Sequence, residues 1–202
     1  YIVDPEAAES GGSQPDQDNT HATVVSALEA AENDEESGTG AVIGVARDTK
    51  EEFLNVDLED ITLVGYGGKP TLTLNPSDEA NGAVQIGASG VTVRNLSIKY
   101  EGSLTDPLSN GIKNSSNGVT DITVDGVRIE NTGEPTESPA IDFENAESVT
   151  VTNNEVLGAP IGLYFDDSTS ENTFTVRNNY VDLNPGEEAP ADGSDSGPTE
   201  GI

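Results

Sequence analysis

The sequence contains no cysteine, which excludes disulfides and thiolate chemistry and leaves the redox compartment open. Basic residues are nearly as scarce: 8 Lys and Arg stand against 38 Asp and Glu in 202 residues, a formal charge of -30. Phosphate recognition needs cationic side chains, so this balance argues against nucleic acid and anionic membranes as partners. Aromatic residues amount to 4%, and Val, Ile, Leu and Ala supply most of the apolar content, as thin β-branched columns require. There is one histidine, His21. No apolar run is long enough to span or insert into a membrane. The chain opens at Tyr1 without an initiator Met or a signal-like apolar run, as expected of a processed mature chain or an excised piece.

Acid is what the chain has in excess. Acidic chains of low hydrophobicity are often disordered, but this one keeps regular apolar columns between its acidic turns. A folded chain with so much like charge repels itself unless counterions are plentiful, the condition of a halophile protein. The expected source is a salt-loving organism, a haloarchaeon or one of its viruses.

One short phrase recurs five times: Ile61-Thr62-Leu63-Val64-Gly65, Val91-Thr92-Val93-Arg94-Asn95, Ile122-Thr123-Val124-Asp125-Gly126, Val149-Thr150-Val151-Thr152-Asn153 and Phe174-Thr175-Val176-Arg177-Asn178. The copies start 30, 31, 27 and 25 residues apart, which marks a repeat protein. Each alternates apolar and polar residues, the period of a strand with one buried face. Each stops at Gly or Asn, the residues that most easily take the left-handed conformation of a sharp bend.

A weaker second phrase follows each bend, with Leu96 and Ile98, Val127 and Ile129, Val156, and Val181 in comparable places. A third closes each unit: Ala83-Val84-Gln85-Ile86, Gly111-Ile112-Lys113-Asn114, Ala140-Ile141-Asp142-Phe143 and Gly162-Leu163-Tyr164-Phe165. Three short strands per repeat, with no helix between them, describe one turn of a three-sided coil. Stacked turns make an all-β parallel β-helix solenoid, each strand pairing with its copy one turn above at about 4.8 Å. The competing reading is an antiparallel sandwich, which does not predict a shared phrase in every third strand.

Residues 1–40 read as an N-terminal strand and cap, and 41–202 as the repeats. Tyr1-Ile2-Val3 is the first strand. Val24, Val25, Leu28 and Ala31 fall at helical spacing within Thr20 to Ala31, with Asn19 or Thr20 as the cap residue, so a short amphipathic helix is expected. Its place ahead of the repeats makes it a plug over the first turn, because solenoids need caps on their apolar ends. Asn33 to Gly38 is a solvated turn, and Ala41 to Val45 and Leu54 with Val56 supply further strands.

The chain resembles the right-handed β-helix families that include pectate lyases, pectin-esterase-like proteins and periplasmic copper-associated repeat proteins. The resemblance rests on Tyr1-Ile2-Val3-Asp4-Pro5, Ala22 to Ala31, Ala41-Val42-Ile43-Gly44-Val45 and Ile61 to Gly65. It implies a right-handed coil and specifies the fold only. Inserts at Asn75 to Asn81, Glu101 to Asn110, Asn131 to Ser138 and Asn184 to Glu200 all sit between the second and third strands of a turn. They emerge along one edge, where solenoids usually place recognition surfaces, or else are acidic solvated loops.

Aligning Ile141 with Leu163 puts Glu144 one turn below Asp166, both outward, with Asp167 adjacent and Asp142 nearby. Carboxylates that close repel unless a cation lies between them or one keeps a proton. Glu144, Asp166 and Asp167 are therefore candidate calcium ligands, or the acid and base of a polysaccharide hydrolase or lyase. A halophile surface that stacks acids and lets salt screen them is the simpler explanation. Polygalacturonase-like hydrolases resemble this chain at Asp166-Asp167, but their pattern adds a His-Gly pair and a basic clamp. Here His21 falls at the cap, where it is expected to pack, and Arg94, Lys113 and Arg128 do not align with the carboxylates. The row Thr62, Thr92, Thr123, Thr150 and Thr175 is an ordinary β ladder or a template for ordered water, its face broken by Val64, Arg94, Asp125, Thr152 and Arg177.

Two sequons, Asn95-Leu96-Ser97 and Asn114-Ser115-Ser116, place their Asn in a bend column and an inward column, where structure gives each a reason to stay unmodified. Thr199-Glu200-Gly201-Ile202 matches the opening of the third phrase, so the expectation is a chain that continues, or an end covered by another subunit, with Tyr1-Ile2-Val3 as one route to a filament. Together these readings describe a non-catalytic extracellular module of a halophile, in a cell-surface protein, surface filament or virion appendage that associates with itself, with other subunits or with glycans. The alternative is a polysaccharide-degrading or glycan-binding β-helix domain of the tail-spike or secreted depolymerase kind.

Overall fold

The computed structural model describes residues 1–6, 19–34, 39–75, 82–100, 110–133, 138–166 and 173–183. The chain opens with β1 (Ile2–Val3), β2 (Thr20–His21) and helix α1 (Val24–Glu32). It then winds turn by turn: β3 (Val42–Val45), β4 (Thr49–Glu51) and β5 (Leu54–Val56); β6 (Thr62–Gly65), β7 (Thr71–Leu74) and β8 (Gly82–Ile86). Next come β9 (Thr92–Arg94), β10 (Ser97–Tyr100) and β11 (Asn110–Asn114), then β12 (Ile122–Asp125), β13 (Arg128–Asn131) and β14 (Pro139–Glu144). After β15 (Ser148–Thr152), β16 (Glu155–Leu157) and β17 (Ile161–Asp166), β18 (Thr173–Arg177) and β19 (Tyr180–Asp182) begin another turn.

Corresponding strands of successive turns pair in parallel, giving sheets of eight, six and five strands. The protein is a parallel β-solenoid, and the sandwich reading is excluded because every pairing among the described strands is parallel.

Register follows the repeated phrases. Ile43, Leu63, Val93, Val124, Val151 and Val176 stack in one inward column. Leu72, Ile98, Ile129, Val156 and Val181 form a second, and Leu54, Val84, Ile112, Ile141 and Leu163 a third. Most of these side chains are fully buried, and burying each Val, Leu or Ile contributes about 1.5–3 kcal/mol. Toward the last turn, the Phe143 and Phe165 rings stack at 6.3 Å and Phe165 meets Phe174 at a tilt of 45°, 5.1 Å apart.

The corners explain the Gly and Asn of the phrases, with one correction. Asn95, Gly126, Asn153 and Asn178 have φ of 53°, 63°, 58° and 56°, the left-handed conformation expected of them. Gly65 does not; there a Cβ would collide with the Asn95 carbonyl and lie 2.7 Å from Pro70 Cδ. A second set of left-handed corners, Asp60, Gly90 and Asp121, directly precedes Ile61, Val91 and Ile122. Inside the coil, Asn154 accepts the Val127 N–H at 2.8 Å and donates to the Val124 carbonyl at 2.9 Å and to Asn179 Oδ1 at 3.0 Å. Asn179 donates in turn to the Val151 carbonyl at 2.9 Å, so side chains satisfy main-chain groups that the bend removes from the ladders.

The cap differs from expectation in its start and its buried face. Thr20 and His21 form β2 against β1, and Thr23 is the N-cap. Thr23 Oγ1 accepts the Ser26 N–H at 3.1 Å while Ser26 Oγ accepts the Thr23 N–H at 3.4 Å, a reciprocal capping box. The buried stripe is Val24, Ala27, Leu28 and Ala31. Val25 is 38% exposed, because it lies one position off the stripe of Val24, Ala27, Leu28 and Ala31 that faces the core. Glu51 reinforces the cap, accepting the Val24 and Val25 N–H groups at 2.6 and 3.0 Å. His21 packs its ring against Tyr1 at 5.6 Å, and burial followed by the charge of the chain's amino terminus lowers its pKa.

Strand positions put the connections 76–81, 101–109 and 134–137 at one corner, after β7, β10 and β13. These residues, 35–38 of the turn after α1, and 184–202 including Thr199 to Ile202 lie outside the described residues. A further long connection, 167–172, joins β17 to β18 and so falls at a different corner from the others. No helix among the described residues is long and apolar enough to cross a membrane.

Candidate functional site

Glu144 ends β14 and Asp166 ends β17, and the two are register partners, so their exposed carboxylates lie in one column a turn apart. Asp167 lies outside the described residues. Glu144 is held by its main chain. Asn114, at the end of the neighbouring strand β11, accepts the Glu144 N–H at 2.8 Å and donates to the Glu144 carbonyl at 2.7 Å and the Ser116 carbonyl at 2.9 Å. The inward column that carries Ile86, Phe143 and Phe165 is thus interrupted, at Asn114 between Ile86 and Phe143, by a polar clamp.

Beside this column runs another on the outer face: Asn55, Gln85, Lys113, Asp142 and Tyr164, each opposite the next. Lys113 is therefore one turn from Asp142, which corrects the expectation that no basic residue aligns with the carboxylates. Asp142 is 6% exposed and accepts from Asn110 Nδ2 at 2.8 Å, while its Oδ1 has no partner. Burial first, then Glu144, raises its pKa; Lys113 and the Asn110 bond oppose this, and Asp166 adds to it. Asn110 Oδ1 and the hydroxyl of fully buried Tyr100 are also unpartnered, and burial pushes that hydroxyl's pKa up. Unmade hydrogen bonds at buried groups cost about 1–3 kcal/mol each, which makes this stretch of β10, β11 and β14 an expensive one.

Tyr164 was not singled out by sequence reasoning. It is 41% exposed, in a chain with 5 Tyr, and its phenol pKa is raised by Asp166 first, then by burial, Glu144 and Asp142. An exposed ring with carboxylates beside it offers an apolar face for the C–H surface of a sugar and acceptors for its hydroxyls. The readable signal was its column: the only aromatic outward residue among the four third phrases.

The other basic candidates lie on other faces. Arg128 bonds Glu155 at 2.8 Å and approaches Glu130 at 3.6 Å, and Lys99 approaches Glu130 at 3.5 Å, all on the six-stranded sheet. Arg94 is opposite Asp125 on the eight-stranded sheet. Asp125 accepts Asn153 Nδ2 and Thr152 Oγ1, both at 2.7 Å, and these bonds lower its pKa. On the same face Thr62, Thr92, Thr123, Thr150 and Thr175 are successive register partners, a straight half-exposed row.

Among the described residues, no three His, Asp or Glu side chains converge closely enough to hold a metal ion. No protein-family model, curated protein or solved structure matches this chain.

Proposed function

We propose that the protein is a non-catalytic extracellular structural or adhesion module of a halophile, carried in a cell-surface protein, surface filament or virion appendage. The observation that supports this most is the unbroken register of three sheets around a solid apolar core. Such a column is rigid along its axis and exposes long, regular faces, which suits spacing and attachment. The -30 charge suits a medium rich in counterions. Immunogold labelling of the source cells or particles, with turnover assays on acidic and neutral polysaccharides at native salt, tests the reading. Surface label without turnover is expected. Label confined to the cytoplasm, or product release abolished by Asp166→Asn or Glu144→Gln, overturns it.

Tyr164 favours a second reading, a glycan-binding or glycan-degrading face built from Tyr164, Asp142, Glu144 and Asp166. Affinity electrophoresis against polysaccharides of varied charge decides it. Retardation that disappears in Tyr164→Ala supports a sugar face; retardation unchanged by that variant removes it.

A further inference from the structure

At the opposite end of the five-stranded sheet from β17, a groove of about 510 Å3 runs between α1 and the first turn. Its walls are apolar, with Val25 and Leu28 on the helix and Phe53 and Leu58 across from them. Val25, the helix residue displaced from the core, supplies exposed apolar surface here.

The rim is acidic. Glu29 and Glu32 line the helix side and Glu52 the other, with Lys50 the basic residue among them. None of these three glutamates forms a salt bridge among the described residues. Glu51, by contrast, is occupied at the start of α1.

The groove also contains an open strand edge. β5 is the last strand of its sheet and pairs only with β8. Main-chain groups of successive residues in a ladder point to opposite sides. The Val56 carbonyl accepts the Gly87 N–H at 3.0 Å, so Val56 faces β8 and Asn55, between Leu54 and Val56, faces the groove. Among the described residues nothing hydrogen-bonds to the Asn55 main-chain N–H or carbonyl.

We propose that this groove receives an extended basic peptide segment of a partner protein. It adds as a strand along β5, lays an apolar side chain on Val25 and Phe53, and sets Lys or Arg against Glu29, Glu32 and Glu52. Strand addition of this kind takes affinity from main-chain bonds and specificity from alternate side chains. The free Asn55 groups call for a peptide rather than a small cation. A second copy of this chain, carrying -30, is repelled from the same rim.

The test uses three synthetic hexapeptides: alternating Lys and Val, alternating Glu and Val, and the Lys–Val peptide N-methylated along one edge so that it cannot pair as a strand. Binding is followed by fluorescence anisotropy in moderate and multimolar salt, and by exchange protection of the Asn55 amide. The Lys–Val peptide is expected to bind and protect Asn55, the other two to fail. Val25→Ser, at an exposed position, is expected to weaken binding about tenfold, and Glu29→Gln with Glu52→Gln to remove the preference for Lys over Glu. No binding, equal binding of the N-methylated peptide, or binding untouched by Val25→Ser with Asn55 still exchanging overturns the proposal; the last two identify the peptide as a diffuse counterion.

Discussion

Asn114 holds Glu144 through its main chain, with the Asn114 amide accepting the Glu144 N–H at 2.8 Å and donating to its carbonyl at 2.7 Å. A strand residue is thereby pinned by a side chain from the turn below, at the point where the outer carboxylate column starts. Asn114→Ala leaves both Glu144 groups without these partners in a partly buried place. The expected loss is about 2–6 kcal/mol, taking about 1–3 kcal/mol for each of the two unmet groups. Urea titration at constant salt measures it, and a loss under about 0.5 kcal/mol would show that water replaces the clamp.

The same contacts bear on glycosylation. Asn114 Nδ2 is engaged with two carbonyls, and Asn95 Nδ2 donates to the Gly65 and Gly68 carbonyls at 3.0 and 2.7 Å. Peptide mass spectrometry of protein from its natural source is expected to find both asparagines unmodified. A glycan on either would mean that modification precedes folding of that turn.

Asn154 is 2% exposed and joins three neighbouring main-chain or side-chain groups inside the coil. Asn154→Ala leaves the Val127 N–H and the Val124 carbonyl unmet and should cost about 2–6 kcal/mol by the same reasoning. Asn153→Ala, at the exposed corner beside it, should cost less, although its φ of 58° is better tolerated by Asn than by Ala. Equal losses in thermal or urea melts would mean that backbone strain, not the internal ladder, sets the cost.

Asp142 and Asp125 should respond to pH with opposite signs. Burial and Glu144 raise the Asp142 pKa, so the folded chain holds that proton more tightly than the unfolded chain. Its contribution is fully present below the ordinary aspartate value, about 4, and is lost as pH rises through the raised folded value. Asp142→Asn keeps an acceptor for Asn110 and should gain on the parent across that window, retaining the gain at neutral pH. Hydrogen bonds from Asn153 and Thr152 lower the Asp125 pKa, so its contribution is present above the ordinary value and lost as pH falls through the folded one. Asp125→Asn should lose stability at neutral pH and match the parent in strong acid. Denaturant melts across this range at fixed salt check both; a shared sign for the two variants would contradict the environments described.

The peptide itself announced the coil and its register. A residue type recurring every 25 to 31 positions, such as Thr92, Thr123 and Thr150, must occupy one column if strands stack in parallel, and the Glu144 and Asp166 pairing follows from aligning the third phrases at Ile141 and Leu163. Periodicity is a property of the chain, so it can be read before folding. What a side chain meets across a turn is not periodic. Thr23 rather than Thr20 caps α1 because Thr20 is taken up by pairing with Ile2, a contact 18 positions away. Asp142 is buried although it lies in an outward column, and Asn114 reaches Glu144 although its column is apolar above it. The open edge at Asn55 and the exposure of Val25 likewise arise only where α1 comes to rest on the first turn. Burial, clamps and grooves depend on three-dimensional neighbours at large sequence separation, and those are settled by packing, not by the order of residues along one turn.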